Sequence, residues 1–184
     1  MKKYFFFFIL TFVLPLLSTE IKEEHLTVTS GKIIFLSEAP QETIKGVGKQ
    51  ISGDIFFKEK KVKIAIDLTD WKTNNRLQTS HLHDNYLETE TYPKATFDGN
   101  IQSYDPQTGD VTAIGTITLH GKTKKDVSIK GKVTATDSGY SLACEFSINL
   151  KDYSIEVPKL LILKVNEIVK LEVKLELKKA TKEN

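Results

Sequence analysis

The chain has 184 residues, 40% of them hydrophobic and 27% charged, with a formal net charge of +2. Taking away Lys2 and Lys3, which precede an uncharged run from Tyr4 to Leu17, reduces the 26 basic residues to 24, equal to the 24 acidic ones. A neutral chain offers no electrostatic case for nucleic acid, and the single cysteine, Cys144, excludes an internal disulfide.

The run after the two lysines is too short to span a bilayer and matches the core of a signal peptide. Ser18 and Thr19 follow it. Residues 1–19 are therefore expected to be a leader cleaved near residues 18–20, which implies a periplasmic or secreted protein. Residues 20–184 are the size of a single domain with its own core.

From there the chain is written in period two. KIIFLS near residue 34 and the glycine-containing ISGDIFF near 54 are the first strand candidates. KVKIAIDL then sets Val62, Ile64, Ile66 and Leu68 on one face. Asn74 to Thr91 breaks the alternation: Leu82, Tyr86 and Leu87 share a helical face, extended backwards by Leu77 and His81, and Pro93 ends it. A short helical connection is predicted there, longer than a hairpin needs, of the kind that plugs a barrel mouth.

Strands resume with KATFDGNI near 97. DVTAIGTITLH sets Val111, Ala113, Gly115, Ile117 and Leu119 on one side; DVSIKGKVTA does so with Val127, Ile129, Gly131 and Val133. YSLACEFSINL aligns Tyr140, Leu142, Cys144, Phe146, Ile148 and Leu150. IVKLEVKLELKK closes with Val169 to Leu177 alternating strictly against lysine and glutamate. Turns are predicted at Lys58–Lys61, Asp105–Gly109, His120–Lys125 and Asp137–Gly139. Seven or eight short-linked strands, each with one apolar face, make an all-β antiparallel sheet that must hide that face. Closure into a barrel does so and removes the edges; a β-sandwich is the alternative.

Three segments carry a resemblance. His81-Leu82, Tyr86-Leu87, Tyr92-Pro93 and Ala95-Thr96-Phe97 come first, then GTITLHGKTKKDV (Gly115–Val127), then FSINLKDYSIEVP with Phe146, Asp152, Tyr153 and Ile155. In this order and spacing they resemble the YceI-like family of exported proteins, over about residues 25–178. The chain departs from the pattern at Gln78 and Thr79, where the family often carries Arg-Asp; Arg76 lies two positions early. The resemblance implies an eight-stranded antiparallel lipocalin-like barrel whose apolar tunnel holds a polyisoprenoid or similar amphiphile, without established catalytic residues.

On that basis the tunnel and its mouth are assigned to Phe35, Ile66, Leu68, Trp71, Leu82, Tyr86, Phe97, Ile117, Leu119 and Phe146. The small residues Ala113, Gly115, Gly131 and Cys144 on the inner face favour a hollow lumen over a self-filled one. His81 is read as a structural hydrogen-bonder at the mouth, and His83 and Asp84 as the solvated face of the connection. Cys144 is expected to be a buried, inert thiol. His81 and His83 diverge on a helix and no zinc-binding motif is present, so no metal site is assigned, and no catalytic residues or enzyme activity are assigned either. The alternative roles are a packed-core structural or interaction barrel without ligand and, after it, a metal-binding exported protein. No resident cofactor is expected, the ligand being an isoprenoid or isoprenoid quinone. Transient membrane contact and a homodimer are compatible with that role.

Overall fold

The computed structural model describes residues 21, 25–38, 43–156 and 166–180; the expected leader and its cleavage site lie outside them. The alternating segments form β1 (His25–Glu38), β2 (Thr43–Gly48), β3 (Ile51–Phe56), β4 (Lys61–Asp67), β5 (Lys72–Thr73) and β6 (Lys94–Tyr104). β7 (Asp110–Leu119), β8 (Lys122–Thr136), β9 (Gly139–Asn149) and β10 (Ile168–Lys179) follow. Successive strands pair antiparallel around the sheet, and β10 returns to β1, with Leu36 opposite Lys170 and Leu26 opposite Lys179. β2 and β3 pair with successive halves of β1 and act as one interrupted strand, while β5 only adds two residues beside β2. The result is a closed eight-stranded barrel. The β1–β10 seam removes the sandwich alternative.

Alternation decides which face is inside. On β10, Val169, Leu171, Leu175 and Leu177 are buried while Lys170, Glu172 and Lys174 are exposed. A one-residue slip would send every leucine to solvent, so the register is strongly specified.

Two local departures have clear physical causes. The strand β2 was not expected, because Gly46 and Gly48 weaken its pattern. A side chain at Gly46 would collide with the Phe35 ring, and one at Gly48 with the Trp71 indole. The two glycines make room for those rings, which stack at 5.3 Å and 13°. The turn expected over His120–Lys125 is only two residues long. His120 (φ 51°) and Gly121 (φ 66°) are both left-handed, the requirement of a tight type I′ hairpin, so β8 starts at Lys122.

Candidate functional site

The barrel encloses a cavity of about 540 Å³. All ten residues assigned to the tunnel or mouth line it, as do Ala113, Gly131 and Cys144 among the small ones. Gly115 does not. It faces Gly99 across the β6–β7 ladder, and any side chain there would meet Gly99 and the Phe97 ring. Its smallness serves the packing of Phe97, which corrects its reading as a lumen-widening position. The lining also includes Ile55 and Phe57 at the lower end and Thr73, Asn75 and Gln78 at the upper end, none assigned from sequence. Among the described lining residues none is Asp, Glu, Lys or Arg.

The upper end is covered by the connection between β4 and β6. An α-helix, α1 (Arg76–His81), runs directly into a π-helical segment (Leu82–Leu87). Asn75 caps α1, its Oδ1 accepting from the backbone N–H groups of Leu77 (2.8 Å) and Gln78 (3.3 Å). Thr79 then ties the helix to β5: its hydroxyl donates to the Asn75 carbonyl and accepts from the Thr73 N–H, both at 3.0 Å. A neutral hydroxyl thus anchors the position where the sequence departs from the pattern it otherwise resembles. The π winding explains the spacing of the apolar residues. Its i→i+5 bonding stacks Leu82 near Leu87, with Tyr86 beside them, so all three turn into the lumen. Glu88, left-handed at φ 47°, ends the segment.

The histidines divide the work differently from the sequence expectation. His83 is half-buried. Its Nε2–H donates to the Trp71 carbonyl (2.8 Å), which leaves Nδ1 to accept from the buried Thr89 hydroxyl (3.1 Å). That bridge fixes the plug to the segment carrying Trp71, so His83 is structural and not part of a solvated face; Asp84 is exposed as expected. His81 lines the lumen, and its Nδ1 accepts from Asn85 at 2.7 Å. Among the described residues no three His, Cys, Asp or Glu side chains gather as a metal site.

The pieces that carried the resemblance meet at one corner of the mouth. His120 Nδ1 bonds the Tyr153 carbonyl at 3.1 Å, and Nε2 lies 3.5 Å from Glu88 Oε1. Tyr92 packs edge-on against the imidazole at 4.6 Å. Tyr153 sits in a 3-10 helix (Leu150–Tyr153) after β9, and an ion pair between Lys124 and Asp152 braces the same contact. The β7–β8 hairpin therefore clasps both the plug and the β9–β10 connection. Tyr153 is 1% exposed, and burial, with Asp152 beside it, pushes its hydroxyl up to about 12. Burial also raises Tyr86, and it pushes the Cys144 thiol up to about 11 with help from Glu145. A thiol held so far from its thiolate is a poor nucleophile.

A closed antiparallel barrel with an apolar interior and a helical plug over one end is a lipocalin-like architecture. The sequence matches the YceI-like domain over residues 20–177, and the chain belongs to that family. No curated protein sequence matches it. Among solved structures, a polyisoprenoid binding domain from Saccharophagus degradans superposes with TM-score 0.69 at 19% identity, covering 86% of this chain and all (100%) of that one. BcnA from Burkholderia cenocepacia gives 0.66 at 15% identity, covering 82% of this chain and 96% of that one. A Campylobacter jejuni YCEI protein gives 0.54 at 16% identity, covering 99% and 100%. At these identities the likeness is one of fold.

Proposed function

We propose that the protein is an exported lipid binder that holds an isoprenoid-type or similar amphiphile in the barrel, for carriage or storage. The observation that carries this reading is the roughly 540 Å³ apolar cavity. At about 24 cal/mol per Å³, leaving such a space empty forgoes on the order of 10 kcal/mol of packing, comparable to the whole stability of a domain. A tail that buries roughly 600 Å² gains a gross ~15 kcal/mol at about 25 cal/mol per Å², of which association and chain ordering take a large part. The polyisoprenoid-binding neighbour supports the ligand class.

The head group would sit under the plug, where Thr73, Asn75, Gln78 and His81 supply neutral hydrogen-bonding groups at the end of an otherwise oily channel. Loading from a membrane asks the mouth to touch lipid, and Leu77, 65% exposed beside it, is placed to do so. The role proposed is binding, not catalysis, in keeping with a lumen whose one thiol is held protonated. Native mass spectrometry of the protein purified from a bacterial host tests it. A co-purifying mass in the range of a prenyl lipid or quinone supports the reading. A uniformly ligand-free protein that also ignores added prenyl lipids overturns it.

A further inference from the structure

The lumen has a floor. Leu26 and Leu177, 0% and 2% exposed, are buried at the end of the barrel opposite the plug, yet neither lines the cavity. Tyr140 faces Leu177 across the β9–β10 ladder and packs against the same core. Phe57, which does line the cavity, is backed edge-on by Tyr104 at 5.6 Å. The channel is therefore closed at this end, and the plug covers the other.

The length of its lining gives its capacity. On β10 the lining runs from Val169 to Leu175, and on β7 from Val111 to Leu119. At about 3.3 Å per residue those stretches are roughly 20 and 26 Å long, and a strand tilt of about 40° shortens them to roughly 15–20 Å along the axis. With C–C bonds of about 1.5 Å, an extended zigzag advances roughly 1.25 Å per bond, so the channel seats about 12–16 chain bonds. An isoprene unit adds about four such bonds, giving three to four units.

Resting on the lipid-binding reading above, we infer that the blind lumen measures tail length and seats three to four isoprene units. The remainder of any longer tail stays outside the mouth and adds nothing to lumen binding. The test is a series of prenyl alcohols with one common head, from two to six isoprene units, titrated into delipidated full-length protein. Trp71 fluorescence and calorimetry give the affinities. Affinity should rise roughly tenfold or more per unit up to three or four, then change by less than about twofold per added unit. A continued rise of fivefold or more per unit through six units overturns the length measure and leaves lipid binding standing. If no alcohol binds, both fall. Phe57→Ala opens the floor and should move the break to tails about one unit longer; a folded variant whose break stays in place also overturns the inference.

Discussion

Ala113 offers a direct test of the hollow interior. It lies on β7, opposite Ile101 of β6 and Ile129 of β8, and its methyl faces the lumen. Ala113→Phe places a ring in that space. In a packed core this change would overpack and destabilise by about 1–3 kcal/mol. In an empty lumen it fills a void, and the ligand-free protein should gain roughly 0.5–2 kcal/mol, raising Tm by about 2–4 °C per kcal/mol. The same ring takes the room of about four tail carbons. At about 0.8 kcal/mol for each buried methylene, that removes ~3 kcal/mol of binding, about a hundredfold in Kd. Stability and affinity thus move in opposite directions. Thermal unfolding of delipidated protein and farnesol titration read the two arms. A ligand-free variant less stable than its parent by ~1 kcal/mol or more refutes the hollow lumen; undiminished farnesol affinity refutes the placement of the tail.

Four further outcomes are expected. His83→Ala strands the Trp71 carbonyl and the buried Thr89 hydroxyl and should cost about 1–3 kcal/mol in denaturant unfolding. His81→Ala, whose partner Asn85 is exposed, should cost under about 0.5 kcal/mol while changing lipid affinity. Because the folded Cys144 pKa lies near 11, above its ordinary value of 9.0, its contribution to stability is complete below pH 9 and is lost as pH rises towards 11. Cys144→Ala should flatten that part of the profile, by up to about 2 kcal/mol, in urea unfolding measured across pH 8–11. Trp71, stacked on Phe35 at the lumen wall, should change emission when farnesol saturates the protein; an unchanged spectrum with calorimetrically proven binding would place the tail away from that wall.

Much of the wall was legible because strand alternation has one unambiguous period. Val169 to Leu177 could face inward only one way, and the same holds for Ile117 with Leu119 and for Phe146. What stayed hidden was set by partners distant in sequence. The strand holding Gly46 and Gly48 went unassigned, and the reason for its glycines shows only where Phe35 and Trp71 lie against them. Gly115 looked like lumen space until the Phe97 ring was found over it. His83 was misassigned to a solvated face because its role depends on which side chain meets the Trp71 carbonyl, and helical periodicity carries no such information. The π winding of Leu82–Leu87 was foreshadowed only by apolar residues four and five apart.

The β1–β10 seam also governs how the barrel comes into being. It joins residues far apart in the chain: the Thr29 hydroxyl reaches the Glu176 carbonyl across 147 positions, and Lys170 reaches Glu38 across 132. Non-local pairing of this kind folds slowly, because loop-closure entropy is lost before the contacts compensate it. During vectorial synthesis the strands before β10 emerge without their last neighbour, each with an apolar face and two of the barrel's strands with free edges. Truncation before Ile168 should therefore leave an aggregation-prone open sheet, not a smaller barrel. A chaperone that shields the nascent sheet would have to hold it until the twelve residues of β10 arrive, and only then would a lipid find anything to enter.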